Sequence, residues 1–172
     1  MTKFSTKALC RAGIIAALYF ALTASFGSLA YGPLQIRPSE ALTLLPLFFP
    51  EAIPGLFVGC IFSNLFSGYG ILDIVVGSLI TLVAAAGTCF VGKIIKNNVV
   101  KVAVGGLFPV VLNALGIPLV ILLTGGLDGG FVAYLICVAE FLLTQTVWVY
   151  GTGSLLYVAI KKQRDRGMKF LL

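Results

Sequence analysis

The chemistry this sequence can do rests on a handful of polar side chains set in apolar surroundings. Its 172 residues contain six acidic residues, twelve basic residues and no histidine. Without histidine, the commonest general base and the commonest metal ligand are both missing. A charge at membrane depth costs about 2.5–3.5 kcal/mol on the insertion scale, so such residues usually line a cavity or a path. Glu140 stands out, flanked by Val138, Ala139, Phe141 and Leu142. Thr144 and Trp148 follow at four-residue steps, which puts all three on one helical face. Asn113 lies between Leu112 and Ala114, where an amide needs a partner across a helix interface. Asp73 suits either a helix N-terminus or a ligand. Asn64 suits a C-terminal cap or a cavity wall. Arg37 and Glu40 flank the start of one short helix and either pair with each other or face a ligand. Asp128 reads as a turn residue in a glycine loop, and Glu51 as a helix cap.

Elements that could hold these residues follow from composition. Hydrophobic residues make up 59% and charged residues 10%, against about 25% charged in an ordinary soluble domain. A span takes roughly 20 apolar residues, so one all-α membrane domain over 1–172 is expected. Six helices are predicted at 9–30, 39–49, 51–66, 71–92, 102–123 and 131–160, with Pro109 and Pro118 bending the fifth. The first is too long, and too soon followed by more apolar sequence, to be a cleavable signal peptide. The second and third are short for a full bilayer. The positive-inside rule arbitrates. An N-in, C-in arrangement places eleven of twelve basic residues inside, from Lys3, Lys7 and Arg11 through Lys93, Lys96 and Lys101 to the tail containing Arg164, Arg166 and Lys169. Arg37 alone falls outside.

Depth then gathers the polar groups. Arg37, Glu40, Asn64, Asp73 and Asp128 fall near the outer side, with Glu140 and Asn113 below them. Four acids against one base leave three net negative charges there, which disfavours an anionic ligand and favours a cation or a molecule rich in hydrogen-bond donors. Tyr31, Phe66 and Tyr69 are outer aromatics, suited to interfacial anchoring or to stacking. On the first helix Ala12, Ala16 and Phe20 form one ridge, with Gly13, Ala17 and Ala21 beside it. This small-residue surface allows close helix approach, either within the chain or with a partner.

Several function classes are disfavoured. The basic residues bracket apolar runs and form no stripe for nucleic acid. Cys10, Cys60, Cys89 and Cys137 are too scattered for a zinc site or disulfide framework and read as buried small hydrophobes. Gly87 to Lys93 has P-loop spacing, but Ile94 follows where Ser or Thr is needed, and the segment closes a helix instead of opening one. No enzyme, cofactor or metal is expected, and uphill transport would draw on an ion gradient or a partner.

Three stretches carry a family resemblance: QIRPSEALTLLP at 35–46, AIPGLFVGCIFSNL at 52–65 and GILDIVVGSL at 70–79. They resemble the QueT family of queuosine-precursor transporters, membrane S components of energy-coupling-factor (ECF) uptake systems. That resemblance implies six helices with both ends cytoplasmic in a prokaryotic cell membrane, and capture of a 7-deazaguanine base from outside. It also implies assembly with a transmembrane coupling protein and two ATPase subunits, with Ala12 and Ala16 matching the AxxxA docking pattern of the wider group. The pocket assignments come from depth and chemistry. Glu140 would accept two N–H groups of the base as a bidentate pair. Asn113 or Asn64 would donate to the ring carbonyl, and Tyr31, Phe66 or Tyr69 would stack on it. Asp73 or Glu40 would meet an aminomethyl cation. An S component for another vitamin, or a stand-alone proton-coupled transporter working through Glu140, are the alternatives.

Overall fold

Helix α1 (Thr6–Ser25) starts where the Ser5 side chain accepts from the Lys7 backbone N–H. The computed structural model describes residues 5–32 and 35–167. Lys3 and Lys169 of the charge pattern, and Pro33 and Leu34 of the first outer loop, lie outside the described residues. Instead of running on to residue 30, α1 stops at Phe26–Gly27, where Gly27 takes φ +49°. A single turn, α2 (Ser28–Tyr31), follows.

The next element is a 3-10 helix, Pro38–Leu47, with Pro38 at its first turn and Pro46 inside it. Ten residues at about 2.0 Å each give roughly 20 Å, about two thirds of a hydrocarbon core. Every residue from Ser39 to Leu47 is buried. Three residues per turn stacks side chains in three straight edges. Leu42 and Leu45 pack with Ile15, Tyr19, Leu56 and Cys60. Leu44 and Leu47 pack on the other side with Val91, Val110 and Val149. Glu40 and Thr43 occupy the third edge, and Thr43 Oγ1 donates to the Glu40 carbonyl. The helix is therefore a central post buried on all three edges, which explains its largely apolar composition.

Helix α3 (Ala52–Asn64) leans on α1 at close range. A Cβ added at Gly55 would lie 2.7 Å from the Ala12 carbonyl oxygen, and one at Gly59 would lie 2.9 Å from that of Ala16. The Ala12–Ala16 ridge thus seats a Gly-xxx-Gly face of the same chain. Gly13, Ala17 and Ala21 beside it remain exposed.

Three long helices complete the chain: α4 (Gly70–Ile94), α5 (Asn98–Leu123) and α6 (Gly130–Asp165). α4 contains a π turn at Asp73–Gly77 and α6 another at Val147–Thr152. The Asn97 side chain caps α5, which begins four residues earlier than the sequence suggests. Pro109 cannot donate to the Gly105 carbonyl, and Thr88 Oγ1 of α4 donates to that oxygen at 2.9 Å instead.

Contacts fix which ends lie together. Arg11 near the start of α1 bonds Glu51 before α3 at 2.7 Å, and Tyr157 late in α6 donates to Asn98 at the start of α5. Phe20 meets Phe66 at the opposite end, with ring centroids 5.7 Å apart. α1, α4, α5 and α6 are each long and apolar enough to cross a membrane. Large apolar side chains such as Val99, Phe131 and Leu155 are 70% exposed or more, a surface suited to lipid and not to water. The chain is an all-α, multi-pass membrane bundle. Two sequence expectations change. Glu51 pairs with Arg11 and makes no side-chain cap bond, and Cys10 is exposed while the other three cysteines are buried.

Candidate functional site

Towards the end of the bundle opposite Arg11 and Glu51, polar side chains from every major helix turn inward. The 3-10 helix supplies Glu40, whose side chain is 2% exposed. Tyr19 of α1 donates its hydroxyl to Glu40 Oε1 at 2.7 Å. Asn113 of α5 donates to Glu40 Oε2 at 3.1 Å and to Gln145 Oε1 of α6 at 3.4 Å. Beside this chain, Thr23 of α1 and Ser39 share a 2.7 Å hydroxyl bond. Arg37 is buried just ahead of the 3-10 helix. Its Nε donates to the Ala30 carbonyl, and its guanidinium sits 5.6 Å from the Tyr31 ring centroid. Arg37 and Glu40 therefore form no direct ion pair: each is engaged elsewhere, while remaining within electrostatic reach of the other.

α3 and α4 add the second half. Asn64, the last residue of α3, does not cap its own helix. Its Nδ2 donates to the Asp73 carbonyl at 3.0 Å and to Cys60 Sγ at 3.5 Å. Asp73 opens the π turn of α4 and caps nothing. Its side chain is fully buried, and neither carboxylate oxygen has a hydrogen-bond partner among the described residues. Gly77, one turn on, leaves the space beside it clear: a Cβ there would stand 2.8 Å from Asn64 Nδ2 and 3.0 Å from Asp73 Oδ1.

Asp73 is one of several such groups. Tyr31 Oη, Gln35 Nε2, Arg37 Nη2, Asn64 Oδ1 and Asn113 Oδ1 are also buried without partners. A buried polar group left unsatisfied costs about 1–3 kcal/mol, and folded proteins tolerate few of them. Here donors (Arg37, Tyr31) and acceptors (Asp73, Asn64, Asn113) gather around one carboxylate-rich centre. Such an arrangement can bind a small molecule that offers both donors and acceptors along one edge. Next to it, Phe20, Ala24, Gly27, Tyr31 and Phe66 line a crevice of about 200 Å³, so Tyr31 bridges the crevice and the polar centre.

The structure thus gathers Arg37, Glu40, Asn64, Asp73, Asn113 and Tyr31. Tyr69 is half-buried above an apolar cluster that includes Ile117, Ile121 and Phe141. Phe66 is 67% exposed and lines the crevice. Asp128 is exposed in its loop. Glu140 is half-buried and makes no side-chain hydrogen bond among the described residues. The buried face of α6 runs through Cys137, Phe141, Gln145 and Val149, and Glu140 lies off it on the ridge with Thr144 and Trp148, whose indole meets Phe26 edge-on. Of the other residues at the site, Tyr19 is not singled out by sequence, and Gln145, which could face a neighbouring helix, carries no assigned role there. The available signal for Gln145 is an amide one helical turn past Phe141.

A multi-pass helical bundle with buried donors and acceptors left unpartnered among the described residues is a membrane protein with an interior polar site. Comparison with known proteins agrees on the class. The family model described as QueT transporter matches residues 9–162, and the chain belongs to that family. It is similar to a protein of Lactococcus lactis subsp. cremoris (strain MG1363) named queuosine precursor transporter QueT, with 39% identity over 85 residues. That match spans 48% of this chain and 50% of the Lactococcus protein, so the chain aligns with about half the length of its relative. No solved structure matches.

Proposed function

We propose that the protein is the substrate-binding S component of an ECF-type importer and captures a queuosine precursor, a 7-deazaguanine base, at the outer end of the bundle. The observation that carries this reading is the fully buried Asp73 carboxylate, without a partner on either oxygen, beside Asn64 and Gly77. A deazaguanine presents adjacent N–H donors at a ring nitrogen and its exocyclic amine. Asp73 accepts both as a charge-assisted pair. Asn64 and Arg37 supply a free acceptor and a free donor to the remaining edge of the base. Glu40, already holding Tyr19 and Asn113, fixes the floor of the site. Tyr31 lies against the ring or closes above it, and Phe66 guards the crevice. Asp73, not Glu140, takes the bidentate role, because Asp73 has the buried and unspent oxygens.

In this reading the chain crosses the prokaryotic cell membrane six times, the 3-10 helix and α3 making two short crossings, with both termini cytoplasmic. The gathering of Lys7, Arg11 and Arg164 at one end supports that orientation. A coupling protein and two ATPase subunits supply the energy. The coupling protein meets α1 through the exposed Gly13–Ala17–Ala21 ridge, since Ala12 and Ala16 already face α3. Calorimetry on the purified chain tests the substrate. Saturable one-to-one binding of a deazaguanine base, with none for riboflavin or thiamine, supports the reading. Tight binding of either vitamin and none of the base overturns it.

A further inference from the structure

At the opposite end of the bundle from the polar centre, two neighbouring hollows share a wall. One, of about 370 Å³, opens among Ser5, Lys7, Arg11, Phe49, Glu51 and Arg164. Among the described residues, three cations against one acid leave it two net positive charges. The second, of about 240 Å³, runs up the outside of the bundle between α1, the 3-10 helix and α6, lined by apolar side chains including Ile14, Leu18, Leu42, Leu156 and Ile160. Arg11 and Phe49 line both. Arg11 is held between them: its Nη1 bonds Glu51 at 2.7 Å and its guanidinium lies 5.3 Å from the Phe49 ring centroid. The first turn of α1 contains no acidic residue, so the positive end of its dipole adds to the field.

We propose that these two hollows form one binding site for an anionic phospholipid of the cytoplasmic leaflet. Its phosphate sits among Lys7, Arg11 and Arg164, and an acyl chain lies along the Ile14–Leu18 groove. The occupant follows from charge and shape together. A free anion would use the basic hollow and leave the groove uncovered. A zwitterionic lipid would fill the groove and gain little from two net positive charges. Only an anionic lipid uses both, in the direction that the bilayer imposes. The lipid would then tie the start of α1 to the end of α6, two segments far apart in sequence. The site is independent of the solute proposed above, because none of its residues belongs to the polar centre.

Native mass spectrometry of the purified full chain, titrated with phosphatidylglycerol or phosphatidylcholine, tests this. The unaltered chain is expected to retain phosphatidylglycerol in preference to phosphatidylcholine, with inorganic phosphate unable to displace it. At about fivefold per charge, the double variant Lys7→Gln, Arg164→Gln should lose roughly thirtyfold in phosphatidylglycerol affinity, with phosphatidylcholine unchanged. Lys7→Arg with Arg164→Lys should restore it, which separates lost charge from lost fold. Leu18→Gln should weaken both lipids. Three results overturn the proposal: equal retention of the two lipids, full displacement by inorganic phosphate, or a double variant that keeps its lipid yet no longer assembles with a coupling protein.

Discussion

Replacing Asp73 with asparagine should weaken ligand binding without weakening the protein. The side chain is fully buried and both oxygens lack protein partners. Asparagine keeps its size, keeps one acceptor and converts the other into a donor that faces a donor on the base. Losing one hydrogen bond to a charged group costs about 1.5–3 kcal/mol, or roughly 10- to 150-fold in affinity. The ligand-free protein should respond in the other direction. A buried charge without a bonded partner is a desolvation burden, and neutralising it removes that burden. The partial offset is Arg37, which lies within electrostatic reach of Asp73. The melting temperature of Asp73→Asn should therefore be unchanged or higher. Calorimetry for affinity and differential scanning fluorimetry for stability read the two effects on one sample. Glu140→Gln is the matched control, with less than about a threefold loss, because Glu140 stands off the buried face. Unchanged affinity in Asp73→Asn, or a larger loss in Glu140→Gln, would refute the assignment.

Three further outcomes follow from specific contacts. Gly77→Ala places a methyl 2.8 Å from Asn64 Nδ2 and 3.0 Å from Asp73 Oδ1. It should abolish measurable calorimetric binding while the helical circular dichroism is kept. Tyr19→Phe removes the hydroxyl on Glu40 Oε1. It should destabilise the protein by about 1–3 kcal/mol, seen as a lower midpoint in fluorimetry. Gly59→Val drives a side chain into the Ala16 carbonyl and the Tyr19 Cβ, both 2.9 Å from the new Cβ. Separation of α1 from α3 should lower both stability and affinity, whereas Gly13→Val, with open space at its Cβ, should leave both unchanged.

Much of the site is legible in the sequence because charge and amide are rare in apolar helices. Arg37, Glu40, Asn64, Asp73 and Asn113 each announce themselves that way, and each is buried. Tyr19 does not, since a tyrosine in a span reads equally as an anchor or as core. Glu140 and Gln145 show what helical periodicity leaves open. Spacing tells which residues share a face, and it puts Glu140 with Thr144 and Trp148. It does not tell which face turns inward, and the packing of α6 chooses the one through Cys137, Phe141 and Gln145. The first-helix ridge has the same ambiguity: small residues predict close approach, but not that Gly55 and Gly59 make it. The 3-10 form of Pro38–Leu47 is hidden for another reason. Its residues suit an α-helix as well, and the three-edged packing that selects the tighter winding is set by elements elsewhere in the chain.

A structure of the purified protein with a 7-deazaguanine base bound decides whether Asp73 holds the base. The expected result is a flat ligand between Arg37, Asn64 and Asp73, with the Asp73 carboxylate within about 3.2 Å of two ring-edge nitrogens. A base held instead against Glu140 on the flank of α6, with Asp73 still unpartnered, would contradict it.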